Sequence, residues 1–263
     1  MVFYCKNIRV SALEKDDLLP EILNNQMSMS NIASRSAQGF TLREKRLFVA
    51  GLSKMNPHPK GGEPLLRERT FRVTAKEYAE IAGVDSYKNA YKDMRDAARN
   101  LKKRYLKQRI ETPKGFKVRE LNWISSIEYH EGEGWVSFSL TTEIMPHVSH
   151  LMGKFTSYRI RQTTELRSVY SWRFLELFTS YLGKDETKPY LKIIMLEELR
   201  YTFEIPKSYK WDNIKKRVIE PAIKELTAKD NWLIDWQPIK QGRSVVKIKF
   251  TFSKSQQQAL TAI

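Results

Sequence analysis

The chain lacks the usual marks of secreted and membrane proteins. Its 263 residues include a single cysteine, Cys5, so no intramolecular disulfide can form, as is typical of a reducing compartment. No run of 18 apolar residues occurs that could span a bilayer, and the apolar part of MVFYCKNIRV is too short for a signal peptide. We therefore expect a cytoplasmic protein with no membrane partner.

Sequence signals of catalysis and of cofactor binding are also missing. The loop G-x-x-x-x-G-K-[ST] does not occur, which argues against an ATP-driven helicase or loader. Rolling-circle nicking enzymes use a tyrosine and a metal held by a His-hydrophobic-His pair. The closest histidines here, His147 and His150 in HVSH, lack that spacing, and none of the twelve tyrosines stands beside a metal-binding pattern. We expect no enzymatic activity, no metal site and no cofactor.

Acidic residues are few relative to basic ones. The chain carries 46 Lys and Arg against 30 Asp and Glu, a formal net charge of +16 at pH 7. An excess of this size is the electrostatic signature of a nucleic-acid-binding protein. A basic membrane-surface protein is the competing interpretation, but no terminal amphipathic anchor accompanies the charge. With 41% hydrophobic residues, the composition is otherwise that of a globular protein.

The first half of the chain is predicted to be an N-terminal arm, residues 1–40, followed by an alternating series of helices and strands. A helix within 16–29 is compatible with the arm's sequence. The later elements are a helix from Thr41, a strand at 69–73, a helix capped by Thr74 and ended by Gly83, a helix at 87–106 capped by Ser86, a hairpin with Lys114 at its TPKG tip, and the strand GWVSFSL. The apolar stripe of helix 87–106 is predicted to be Tyr87, Tyr91, Met94, Ala98, Leu101 and Tyr105.

The second half repeats this order of elements. A strand at 189–194, a short helix, the helix SYKWDNIKKRVIEPAIKEL and a hairpin with KQGR at its tip follow one another. The halves align on SYK, at 86–88 and 208–210, an offset of 122 residues. A strand and a long helix capped at Thr163 or Thr164 lie between the halves. The pattern predicts an α+β chain with two tandem winged-helix domains related by an internal repeat, at 41–153 and 154–263.

Two basic helices and two hairpin tips are the predicted DNA contacts. A helix-turn-helix places its second helix in the major groove, and the wing reaches phosphates. The predicted contacts are Lys210, Asn213, Lys216 and Arg217 on the second helix, Lys88, Lys92, Arg95 and Arg99 on the first, and Lys114, Lys240 and Arg243 on the hairpins. Asn213 suits adenine, whose N6 and N7 an amide can bond together. Simple solvation is the alternative for each lysine. Pro221 is expected to kink its helix.

Three segments of the chain resemble the iteron-binding replication initiators of bacterial plasmids, which are built from two winged-helix domains. The segments are FTLREKRLF at 40–48, YRIRQTTELRSVYSWRFLELF at 158–178, and YKWDNIKKRVIEPAIKEL with VVKIKFTF. The middle segment is similar to the family signature Y…L.S.YS.R.YELL at Leu166, Ser168, Tyr170, Ser171, Arg173, Glu176 and Leu177. Leu175 replaces the second aromatic of that signature.

The resemblance implies several functions for the chain. Such proteins bind directly repeated origin sites as monomers, open the adjacent duplex, and recruit the host replicative helicase and initiator. As homodimers, many bind an inverted operator and repress their own gene, and the resemblance also implies a part in plasmid copy control. The C-terminal domain of such proteins makes the main specific contacts, while the N-terminal domain makes secondary contacts and carries the dimer interface. A winged-helix transcriptional repressor without a replication role is the alternative, although a second winged helix argues against it.

Overall fold

The computed structural model describes residues 21–58 and 69–255. Cys5 and residues 16–20 of the segment predicted to hold a helix at 16–29 lie outside these ranges. The helices are α1 (Glu21–Asn24), α2 (Asn31–Arg35), α3 (Leu42–Leu52), α4 (Ala75–Ala82), α5 (Tyr87–Leu101), α6 (Val169–Thr179), α7 (Leu196–Thr202), α8 (Trp211–Ile214) and α9 (Glu220–Lys229). The strands are β1 (Gln26–Ser30), β2 (Thr70–Thr74), β3 (Tyr105–Thr112), β4 (Gly115–Asn122), β5 (Ile124–His130), β6 (Trp135–Leu140), β7 (Phe155–Arg159), β8 (Tyr190–Met195), β9 (Trp232–Gln241) and β10 (Ser244–Lys254).

Two winged-helix units follow one another along the chain. The first uses α3, β2, α4, α5, β5 and β6, and the second uses α6, β8, α7, the helical segment 211–229, β9 and β10. Both three-stranded sheets are antiparallel and share one strand order, since β2-β6-β5 corresponds to β8-β10-β9. The predicted α+β fold with an internal repeat is therefore confirmed.

Local capping explains where the helices of the first unit begin and end. Thr41 and Thr74 each form a capping box. The threonine hydroxyl accepts the backbone N–H of the glutamate three residues later, Glu44 or Glu77, and the carboxylate of that glutamate accepts the backbone N–H of the threonine. The Ser86 hydroxyl caps α5, and α4 ends at Gly83, whose φ of 62° lies in the left-handed region that glycine adopts without strain. All four predictions at these helix ends are confirmed.

Two predicted helix limits are wrong. The helix predicted at 87–106 ends at Leu101, and Tyr105 instead begins β3. The helix predicted to start at Thr163 or Thr164 is α6, which is capped by Ser168 through a bond from the Tyr170 N–H. The Thr163 hydroxyl donates back to the Ile160 carbonyl at 2.7 Å and closes a short 3-10 turn, so it does not cap a helix.

The hairpin with Lys114 at its tip is not the wing of the first unit. Strands β3 and β4 form a separate two-stranded sheet. The wing that corresponds to β9–β10 is the hairpin β5–β6, whose turn is residues 131–134. The prediction that TPKG and KQGR occupy equivalent places is therefore wrong, because the first unit inserts an extra hairpin between its recognition helix and its wing.

The described part of the predicted arm is folded into the protein. A helix was expected within 16–29, and the described part of that segment instead divides into α1 and β1. Strand β1 pairs antiparallel with β7, and Met27 lies opposite Tyr158. Met27 and Met29 are fully buried. This pairing crosses the predicted boundary near residues 150–156, and the division of domains at 153/154 stays a prediction.

A buried charged network joins α3 of the first unit to α6 of the second. Lys45 Nζ lies 2.5 Å from Glu176 Oε1, and Arg173 Nη1 lies 2.8 Å from Glu176 Oε2, all three side chains being at most 5% exposed. Tyr158 donates to Glu176 at 2.9 Å, and Gln38 accepts from Lys45 at 2.6 Å. Burial lowers the pKa of Lys45 to about 8. Desolvation would raise the pKa of Glu176, but Lys45 and Arg173 outweigh it and hold that pKa below its ordinary value.

Candidate nucleic-acid interface

The second recognition helix is the continuous helical segment 211–229. Its predicted apolar face is confirmed, because Ile214, Val218, Ala222 and Leu226 are at most 1% exposed. Trp211 is half-buried and meets Trp236 edge to face, with ring centroids 6.1 Å apart. The opposite side carries the cations expected there. Lys210, Lys216 and Arg217 are exposed, and Asn213 is partly exposed beside them. The Arg217 guanidinium also lies 5.4 Å from the centre of the Tyr209 ring.

A π-helical turn, Lys215–Ile219, interrupts this helix directly before Pro221. The Glu220 N–H donates to the Lys215 carbonyl, five residues back. A proline has no N–H to give, and its ring clashes with the carbonyl four residues earlier in a regular α-helix. The π turn widens the helix next to Pro221 and adds one residue there. The kink expected at Pro221 stays a prediction. Lys216 and Arg217 lie within this turn.

The wing of the second unit is long and basic. Strands β9 and β10 have 10 and 11 residues, and Gly242 forms the turn with a φ of 60°. Lys240 and Arg243 are exposed at this tip. The hairpin therefore extends two cations beyond the body of the unit on the same element that reaches phosphates in winged-helix proteins.

The buried face of the first recognition helix, α5, differs from the predicted one at both ends of the predicted helix. Its buried stripe is Ala90, Met94, Ala97, Ala98 and Leu101. Tyr87 and Tyr105, which were predicted in that stripe, are 57% and 38% exposed. Tyr87 is the first residue of α5 after its cap Ser86, and it is exposed there beside Lys88.

The predicted basic stripe of α5 divides into a free half and an engaged half. Lys88 and Lys92 are exposed and form no ion pair within the described residues. Arg95 Nη1 instead lies 3.0 Å from Glu131 Oε1 of the wing turn. The Arg99 guanidinium lies 5.4 Å from the centre of the Tyr129 ring, on β5. Among the contacts of residues 21–58 and 69–255, the cations of α5 without a partner lie in its N-terminal half.

The wing of the first unit is acidic, which distinguishes it from the wing of the second. Its turn reads Glu131-Gly132-Glu133-Gly134. The Trp135 indole donates to Glu133 at 2.6 Å, and this bond holds the pKa of Glu133 below its ordinary value. Both carboxylates are exposed at a place where a winged helix meets phosphate, and like charges repel there. Lys114 is exposed at the tip of the other hairpin, β3–β4.

The buried residues set the register between the two recognition helices. Ala90 and Met94 occupy the places of Ile214 and Val218, an offset of 124 residues. After the π turn the offset is 125, as Leu101 and Leu226 show, because that turn adds one residue. The SYK alignment, with an offset of 122, is therefore out of register by two residues. In the structural register Asn89, which the sequence reasoning missed, is equivalent to Asn213.

Histidines serve structural contacts in this protein. His147 hydrogen-bonds Ser30 Oγ and Gln108 Nε2, each at 3.0 Å, and burial lowers its pKa. His130 Nδ1 accepts the Glu133 N–H. Within residues 21–58 and 69–255, no three His, Cys, Asp or Glu side chains are grouped so that they could hold a metal ion. No helix in these ranges combines the length and apolarity needed to cross a membrane.

Comparison with known proteins gives two winged-helix matches, of which the first extends through α6 and the second begins within β8. Residues 26–179 match the family model described as Initiator Replication protein, WH1, and residues 195–252 match Initiator Rep protein, WH2. The PI protein of Escherichia coli is 28% identical over 240 residues, which cover 80% of this chain and 77% of that protein. The crystal structure of the Pi initiator protein in complex with iteron DNA superposes with a TM-score of 0.71 at 23% identity, covering 89% of this chain and 99% of that one. With both of its winged-helix units matched, the chain belongs to the family of initiator replication proteins.

Proposed function

We propose that this chain is a plasmid replication initiator that binds iteron DNA through both winged-helix units. One observation carries the proposal: each unit holds its recognition helix by a buried apolar face and exposes cations on the opposite side. Family membership supports the initiator role. The solved complex of the similar Pi initiator contains iteron DNA, which supports repeated duplex sites as the ligand.

The second unit supplies most of the affinity in this proposal. Lys210, Lys216 and Arg217 lie on its helix, and its long wing adds Lys240 and Arg243. Each phosphate that such cations neutralise releases counterions, so binding must weaken steeply with salt. Asn213 supplies base recognition within this cationic surface.

The first unit makes secondary contacts through a smaller free surface. Lys88 and Lys92 are the unpaired cations of its recognition helix among the described residues, because Arg95 is paired with the wing. The network around Glu176 holds α3 and α6 together, so one chain can address two successive major grooves if the helix centres lie about 34 Å apart. A monomer then reads a site with two unlike halves.

The finer activities that we propose follow the resemblance to plasmid initiators. Monomers bound to direct repeats open the adjacent duplex and recruit the host replicative helicase and initiator. Homodimers, joined through the first unit, bind an inverted operator and repress the gene of the protein. These roles require no catalytic group of the chain, and we propose that it is not an enzyme.

Gel shifts and transformation test the proposal together. A duplex with tandem repeats from the DNA flanking the gene should bind the full chain, and affinity should fall by orders of magnitude between about 50 and 200 mM salt. A plasmid whose only origin is this gene with its flanking DNA should establish in a host. A protein that represses its promoter but never supports such a plasmid is a transcriptional repressor, and the initiator proposal is then wrong.

A further inference from the structure

The two recognition helices carry the same pair of polar residues at the same structural positions. Asn89 is the third residue of α5 after its cap Ser86, and Asn213 is the third residue after the cap Lys210. Lys92 and Lys216 follow three residues later in each helix. The sequences around these pairs are otherwise unlike, and the SYK match conceals the correspondence.

Both asparagine amides are available to a ligand. Asn89 is exposed, Asn213 is partly exposed, and neither side-chain amide makes a hydrogen bond within the described chain. The Asn89 backbone N–H is bonded to the Ser86 hydroxyl at 3.4 Å, which anchors the first turn of α5 independently of the amide. Ala90 and Ile214, the next residues along, are fully buried and fix the direction in which each asparagine leaves its helix.

We propose that Asn89 is a specificity-determining residue, and that Asn89 and Asn213 each read one adenine, in equivalent positions of the two half-sites. The N-terminal turns of a recognition helix approach base edges most closely, and an asparagine amide matches the N6 donor and N7 acceptor of adenine. This inference rests on the proposed DNA-binding function and adds the chemical identity of two base pairs.

Charges beside the two asparagines predict that the half-sites differ outside the shared adenine. The residue before the asparagine is Lys88 in the first helix and Asp212 in the second. Four residues after the asparagine, Asp93 is paired with Arg43 at 3.2 Å, whereas the equivalent Arg217 is exposed. Opposite charges at both flanking positions favour different neighbouring bases. The two half-sites therefore share one A·T pair within unlike surroundings.

Binding of the full chain to a set of single-substitution duplexes tests this inference. Wild type, Asn89→Ala, Asn213→Ala and the control Asn100→Ala are titrated against every base pair of one repeat. Asn100 is exposed on the last turn of α5, so its substitution matches the chemistry at 89 on the same helix. Asn89→Ala and Asn213→Ala should each lose about tenfold discrimination at one A·T pair, about 10 bp apart, while Asn100→Ala keeps both preferences.

Replacing each of these adenines by 7-deazaadenine removes the N7 acceptor and identifies the contact itself. Wild type should bind each modified duplex several-fold more weakly than the unmodified one. The variant that lacks the matching asparagine should bind the modified and unmodified duplexes with the same affinity. The inference is overturned if Asn89→Ala keeps the full base preference of wild type, or if the pair that it affects is not A·T. Wild type that binds every duplex equally contradicts the proposed function instead, so the two failures are distinguishable.

Discussion

Neutralising the wing carboxylate Glu131 should strengthen DNA binding by the first unit. Glu131 is 69% exposed and holds Arg95 of the recognition helix at 3.0 Å. Exposed ion pairs contribute only about 0.2–1 kcal/mol, so the substitution Glu131→Gln releases Arg95 at small cost to folding. The guanidinium then keeps only a long ion pair with Asp96, at 3.9 Å, among the described residues, and it can turn to a phosphate. One carboxylate no longer repels the DNA.

The size of the effect follows from counterion release. One added phosphate contact steepens the slope of log affinity against log salt by about 0.9. When the salt is lowered fourfold, from 200 to 50 mM, the affinity of both proteins rises. The rise should be about 3.5-fold larger for the variant than for wild type. Gel shifts with a duplex of unrelated sequence measure this contribution of phosphate contacts to affinity, because base recognition is then absent.

A matched control separates this mechanism from net charge alone. Glu143→Gln makes the same charge change at an exposed position on a short 3-10 helix, Thr142–His147, that packs against β1 and β4. Adding Arg95→Ala should abolish the gain of Glu131→Gln but change little in the wild-type background. If Glu131→Gln and Glu143→Gln show the same slope and affinity, the carboxylate does not restrain Arg95, and the reasoning is refuted.

The remaining predictions concern stability and phosphate binding. Glu176→Gln should lower the free energy of unfolding in urea by about 3–5 kcal/mol, because it leaves the buried Lys45 without its charged partner. The folded pKa of Glu176 lies below its ordinary value of 4.5. The stability that the ionised carboxylate contributes is therefore fully present above pH 4.5 and is lost as the pH falls through the folded pKa. Acid unfolding of wild type and Glu176→Gln measures this loss. Gly51→Ala should cost about 1–3 kcal/mol, because a Cβ there collides with the ring of Phe138. Arg243→Ala should weaken all duplex sequences alike and reduce the salt slope by about 1.

Each of these predictions has a result that contradicts it. A Glu176→Gln variant as stable as wild type would show that the network contributes no net stability. An unchanged thermal midpoint for Gly51→Ala would mean that the ring of Phe138 moves aside freely. If Arg243→Ala alters preference at a particular base pair, the wing reads sequence and does not contact phosphate alone.

Local signals made much of this fold predictable from sequence. The caps at Thr41, Thr74 and Ser86 depend on residues three positions away, and Gly83 ends a helix by its own backbone freedom. The outward cations of the second recognition helix followed from its 3.6-residue period. Helix ends and faces of this kind involve contacts within one or two turns of the chain.

Features that depend on distant pairing were not predictable in the same way. The wing of the first unit is defined by β6 pairing with β2, where Phe138 lies opposite Phe71, and hydrophobic alternation alone does not choose that partner over the TPKG hairpin. Lys45 and Glu176 belong to amphipathic helices, where charges are expected in solvent, yet both are fully buried against each other. Asn89 was missed because a chance tripeptide match set the alignment of the two helices.

Footprinting of a complex with one protein chain on one repeat tests the central claim most directly. Native mass spectrometry fixes the stoichiometry, and methylation protection at guanine N7 marks occupied major grooves. The account predicts two protected major-groove patches about one helical turn apart on one face of the DNA, with a single chain bound. A single patch per chain, or a second patch that appears only when two chains are bound, would contradict it.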